Sequence, residues 1–228
     1  MHSQCVNMLY ATYGTYSITA HYQFFCLQCV TAASGSINYD AMMSRIAARA
    51  PDVTAMREQA ESEPQQLLLY NATLPDVCPP TSDNVCIHQS SVKLLGDHCS
   101  WLTKQYIPAS VAGVGNCLFR AVSLALFGRE SAYDQLRLLA VIEVLMHRDF
   151  YDITSSQFYK PYRKDLGLVL PGYTAFVTDL VRDGTYSDML SVLALRLVTK
   201  KPIQTRWPIT VHPGEASLLT KLVCGRDV

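Results

Sequence analysis

Val111-Ala112-Gly113-Val114-Gly115-Asn116-Cys117-Leu118-Phe119-Arg120-Ala121-Val122-Ser123-Leu124-Ala125-Leu126-Phe127-Gly128 decides how the rest of the chain is read. Its glycines permit a loop with positive φ whose backbone can approach another group closely. Asn116 suits a helix N-cap, and the unbroken run behind it has the length and residue types of a helix that stops at Gly128. That run is apolar on nearly every face, which predicts a buried central helix. Cys117 then falls in the first turn, where unpaired N–H groups and the positive end of the helix dipole favour a thiolate. The same N–H groups, with those of the loop, could hold an oxyanion. Spacing alone does not separate such a nucleophile from the commoner structural cysteine.

The chain has 228 residues, formal net charge zero and 49% apolar residues. That is enough for one domain with an extension and a sizeable core. No apolar run reaches the roughly 20 residues of a membrane span, and the N-terminus lacks the pattern of a signal peptide. The eight cysteines are scattered without framework spacing, which points to reduced thiols in the nucleus or cytoplasm. Residues 1–100 carry four Lys/Arg against eight Asp/Glu, and residues 101–228 carry fifteen against eleven. That mild basic excess is no nucleic-acid footprint by itself.

Residues 1–36 are rich in Tyr, Thr, Ser and Cys without a clear period. Cys26 and Cys29 have zinc-ligand spacing, but a site needs a second pair. Cys78, Cys86, His88, His98 and Cys99 do not repeat the tight spacing, so no metal and no cofactor is expected. Residues 38–70 read as helical, with Met42, Met43, Ile46 and Ala50 on one apolar face and a solvated stretch from Glu58 to Gln66. Residues 71–100 read as an irregular connection, and Trp101 to Val111 as an extended approach to the cysteine loop. A second buried helix is expected from about Ala132 to Arg148, with His147 as a favourable cation at its end. Residues 149–170 interleave aromatics with Lys and Arg, a pattern that can stack on a nucleic-acid strand but more often covers a core. Tyr173, Phe176, Val177, Leu180 and Val181 mark a clean amphipathic helix closed by Asp183-Gly184. A further helix runs to about Thr199 with Ser187 as its expected cap.

Gly-Asn-Cys-Leu-Phe-Arg-Ala-Val-Ser, residues 115–123, resembles the nucleophile segment of the ovarian tumour (OTU) cysteine protease superfamily. Ala-Val-Ser-Leu-Ala-Leu-Phe-Gly within the longer stretch looks most like the OTU-like domain of vertnin and its invertebrate relatives. The Gly184–Leu190 segment and the later Lys201-Pro202-Ile203-Gln204-Thr205, which the resemblance implies is a strand with its proline where no ladder bond is lost, occupy the family's order, so the resemblance covers roughly residues 100–210. It implies an α/β (α+β) papain-type fold, a small sheet flanked by helices, with residues 100–228 as the OTU-like domain and residues 1–99 as an N-terminal extension. It implies Cys117 as nucleophile and Val114, Gly115 and Asn116 as the oxyanion loop. Ubiquitin or another protein is the implied partner, DNA is a partner by family resemblance only, and no membrane is expected.

Two departures qualify what the resemblance implies for catalysis. The family's histidine lies in a late strand segment with no match here. His212, in Val211-His212-Pro213-Gly214, is the candidate base that remains, and the base-bearing strand is expected to lie past Val228. The family's Asp three residues before the nucleophile is Val114, which cannot accept loop N–H groups. The expectation is a catalytically impaired or silent OTU-like module that serves nuclear, transcriptional regulation. The alternative is an OTU-type cysteine deubiquitinase that hydrolyses ubiquitin isopeptide bonds through Cys117.

Overall fold

In a computed structural model of the chain, the described residues are 38–63, 74, 77–80, 85–98, 104, 106–160 and 170–203. They belong to one compact unit, Asn38–Pro64 with Thr73–Val228. Their eight helices are α1 (Tyr39–Ala47), α2 (Val53–Ser62), α3 (Gln89–His98), α4 (Cys117–Phe127), α5 (Tyr133–Met146), α6 (Arg148–Tyr151), α7 (Tyr173–Val181) and α8 (Met189–Thr199).

Local chemistry sets the ends of these helices. Asn38 caps α1 by accepting from the Ala41 N–H at 2.9 Å, and α1 buries Met42, Met43 and Ile46. Residues 38–63 of the stretch read as helical form two helices, and residues 64–70 lie outside the described residues. Pro51 has no N–H to donate, and Asp52 starts α2 by accepting from the Thr54 and Ala55 N–H groups. Glu63, expected in a solvated stretch, is buried. Its carboxylate takes a bidentate pair from Arg45 at 2.7 and 2.6 Å, which ties the end of α2 back to α1. Residues 89–98, expected to be irregular, form α3; the His88 ring accepts from the Ser91 N–H at its start. Asp188 rather than Ser187 caps α8, through the Ser191 N–H at 3.1 Å.

The core is built around α5. Its ten buried residues, out of fourteen, include Leu136, Leu138, Val141, Ile142, Val144 and Leu145. Helices α1, α2, α4, α6, α7 and α8 all pack against it. The long α4 stretch is therefore not the central helix: it buries Phe119, Ser123, Leu124 and Phe127, while Ala121 and Ala125 face solvent. On the far side, Tyr173 of α7 donates to the Val144 carbonyl at 2.9 Å. Burial pushes its phenol up to about 12.

Among the described residues the expected small sheet is absent, and the α/β assignment is corrected to a helical one. Among the described residues there is no strand; the extended approach contributes a single antiparallel bridge, Ile87 to Ala109. Of the Lys201–Thr205 strand, residues 201–203 are not β structure, and the rest lies outside the described residues. The physical reason is the pattern of burial. Apolar residues recur at helical spacing on every element packed against α5, and α5 is itself covered by helices rather than by the flat face of a sheet. The aromatic stretch also turns inward. The rings of Phe150, Tyr151, Phe158 and Tyr159 pack on one another at 4.9–5.9 Å, and Tyr151 and Tyr159 are fully buried. Its residues 161–169 lie outside the described residues.

Candidate active site

The loop before α4 is shaped by two glycines from distant parts of the chain. Gly115 has φ +80 and Gly184 has φ +75. A Cβ on Gly115 would stand 1.8 Å from the Gly184 carbonyl oxygen, so the cysteine loop lies directly on the turn between α7 and α8. Val114 is 58% exposed beside this contact, and its carbonyl lies next to Gly184. Glu130 braces the other side: its Oε2 accepts from the Ala112 N–H at 3.4 Å and from Arg120 Nη1 at 3.2 Å. The Arg120 guanidinium in turn lies 3.9 Å over the Tyr133 ring. Thus one carboxylate links the loop to the arginine of the Cys-Leu-Phe-Arg segment.

Asn116 does not cap α4. It is buried, its backbone has φ −89 and ψ 13, and its side chain makes no cap hydrogen bond. Instead its Nδ2 donates to Asp183 Oδ1 at 2.7 Å, and its Oδ1 accepts from Arg137 Nη1. Arg137 is 2% exposed in the middle of α5. Its Nε donates to the Leu180 carbonyl at 3.0 Å, and its Nη2 donates to the carbonyls of Asp179 and Arg182 and to Thr185 Oγ1. These carbonyls belong to the last turn of α7, where a helix leaves acceptors without partners. Burial pulls the guanidinium below its ordinary value, and Asp183 and Tyr133 oppose that pull.

Cys117 is therefore the first residue of α4, partly exposed, with no side chain capping the helix above it. Val114, Gly115 and Asn116 precede it in one loop. His212 lies outside the described residues, as do Cys26 and Cys29. His147 ends α5, where its Nδ1 meets the Glu143 carbonyl at 3.0 Å and the Glu143 carboxylate at 3.2 Å. It stands about 15 Å along the helix from Arg137 at 1.5 Å per residue, so it belongs to a different place from the loop. Cys78 and Cys86 are free, and among the described residues no cluster of metal-ligand type occurs. Sequence reasoning missed Arg137, Asp183, Thr185 and Glu130. A signal existed for Arg137: a lone cation inside the apolar run Leu136–Leu145 must be buried and must find acceptors.

Residues 108–227, just over half of the chain, match the family described as "Vertnin, OTU domain". A curated relative, "OVARIAN TUMOR DOMAIN-containing deubiquitinating enzyme 6" of Arabidopsis thaliana, is 29% identical over 107 residues. That match takes in 45% of this chain and spans 18% of the relative's length. No solved structure matches.

Proposed function

From the premise that this chain belongs to the vertnin OTU-domain family, we propose that it is a catalytically impaired or silent OTU-like module. Its role is that of an interaction platform, for ubiquitin or another protein, in nuclear regulation of transcription. The OTU-like domain occupies residues 100–228, and residues 1–99 are an extension to it. The observation that carries this reading is Val114. An exposed isopropyl group stands where the OTU nucleophile motif has a carboxylate, and it accepts no N–H from the loop. Losing one group that holds an oxyanion site costs a few kcal/mol of transition-state stabilisation. Val114 and Tyr186, which is 85% exposed, flank the Gly115–Gly184 contact in sequence and offer a partner apolar surface.

The second reading is a cysteine deubiquitinase with Cys117 as nucleophile and His212 as base. It is supported by the partly exposed thiol at an uncapped helix start and by the similarity to a relative described as a deubiquitinating enzyme. The two readings part on one experiment, labelling by ubiquitin with a C-terminal cysteine-reactive warhead, read by intact mass beside Cys117→Ala. The silent reading expects no ubiquitin-sized adduct on the wild-type chain and appearance of one in Val114→Asp. A wild-type adduct lost in Cys117→Ala, together with turnover of a ubiquitin chain, refutes it. Binding to duplex DNA at low salt tests the nucleic-acid part separately, and its absence removes DNA from the partners.

A further inference from the structure

We propose that Arg137 is the positioning residue for the head of α4: through Asn116 it holds the loop before Cys117 in a conformation that leaves the first-turn N–H groups uncapped beside the thiol. An Asn side chain has one end that only accepts and one that only donates. Arg137, a pure donor, faces the Oδ1 end, and the Asp183 carboxylate, a pure acceptor, faces the Nδ2 end. The amide is thereby oriented without ambiguity and turned away from the helix. The backbone agrees with this: Asn116 has ψ 13, whereas a capping residue takes an extended ψ such as the 99 of Asp52 on α2. Arg137 does not move with the loop, because four more acceptors from residues 179–185 hold the same guanidinium. One buried cation therefore registers the cysteine loop, the end of α7 and the α7–α8 turn against one another. Releasing Asn116 lets it do what its residue type favours, which is to cap α4 and occupy the N–H groups nearest the sulfur.

The test uses the full chain and two readouts, amide hydrogen exchange of Leu118 and Phe119 and the rate of Cys117 alkylation by iodoacetamide at neutral pH. Asn116→Ser and Asn116→Ala are nearly the same size, and only serine can cap. The expected result for Asn116→Ser is slower exchange in the first turn and alkylation at neutral pH slower by about two- to fivefold, the scale of a charge interaction with a helix terminus. Asn116→Ala, which loses the same two bonds but cannot cap, keeps fast first-turn exchange and is alkylated faster than Asn116→Ser. Arg137→Lys, which cannot reach all the acceptors, follows the serine variant by freeing Asn116 itself to cap. If the lysine variant does not fold, the serine–alanine pair decides. A merely structural role predicts that serine and alanine act alike, and that result overturns the proposal. The alkylation arm rests on the reading of Cys117 as an accessible thiol. If the folded wild-type chain resists alkylation, that reading fails, while exchange alone still upholds or overturns the positioning role.

Discussion

Helices α4 and α5 follow one another in the chain, and both are overwhelmingly apolar, yet they are used differently. Helix α5 hides ten of its fourteen residues and is touched by six other helices. Helix α4 buries a stripe, Phe119, Ser123, Leu124 and Phe127, and leaves Ala121 and Ala125 open. The difference lies in side-chain size rather than in polarity. The exposed positions of α4 are alanines, which lose little by facing water, whereas seven of the ten buried α5 residues are Leu, Ile or Val, worth about 1.5–3 kcal/mol each when buried. The consequence is functional. A helix with one open face leaves Cys117, on the same stripe as Ala121 and Ala125, partly exposed, while the central helix supplies the buried Arg137 that holds Asn116 of the loop.

The largest effect that sharpens this contrast is expected in the centre of α5. Ile142 is fully buried, and Ile142→Ala is expected to destabilise the fold by about 2–5 kcal/mol through lost transfer energy and the cavity left behind. Urea unfolding measures it. A cost under about 1 kcal/mol would mean that α5 is not the packing centre. Next in size is Gly115→Ala at the site. Positive φ alone costs a non-glycine residue about 1–2 kcal/mol, and the new Cβ meets the Gly184 backbone at 1.8 Å. The loop must lift off the α7–α8 turn, and the expected signature is faster proteolysis between residues 111 and 116 with the α5 amides still protected. Unchanged proteolysis would separate the loop from that turn.

These two variants also show what the sequence could and could not disclose. The helical period placed α7 and α8 with near-correct ends, because their apolar residues recur at i, i+3 and i+4. The positive φ of Gly115 and the place of Cys117 at a helix start were legible locally, since a glycine loop running into an apolar helical stretch leaves a pattern in neighbouring residues. Arg137 and Asp183 were not, because they lie 21 and 67 positions from Asn116 and meet it only through packing. The choice of centre failed for a related reason. Apolarity all round reads as burial all round, so alanine exposed on α4 and leucine buried on α5 look alike when polarity alone is read. The sheet was carried by resemblance alone, and the bridge Ile87–Ala109 is the one β contact among the described residues.

A smaller effect comes from the end of α5. His147 is raised above its ordinary 6.5, first by its hydrogen bond to Glu143, with burial and Arg57 opposing. A histidine whose folded value lies above the unfolded one stabilises the fold fully below that unfolded value, and the contribution is lost as pH rises through the folded value. The expected result is a Tm advantage of wild type over His147→Gln at about pH 6 that disappears by about pH 8–9. An advantage that grew with pH would have the opposite sign and remove the Glu143 pairing as its cause.

The smallest effect bears most directly on the two helices. Ala125→Lys on the open face of α4 is expected to change stability by less than about 0.5 kcal/mol, because a surface substitution between two good helix formers disturbs neither packing nor backbone. The long lysine stem can lie along the neighbouring apolar surface with its ammonium in water. The comparison is with Leu124→Lys, one residue away on the covered face, where a charge would be buried without a partner and the loss should be several kcal/mol. If both lysines prove equally damaging, the face of α4 that carries Ala121 and Ala125 is covered in the folded protein. Cys117 would then lose its open approach, and the division of labour between an edge helix that presents the thiol and a central helix that positions its loop would fall with it.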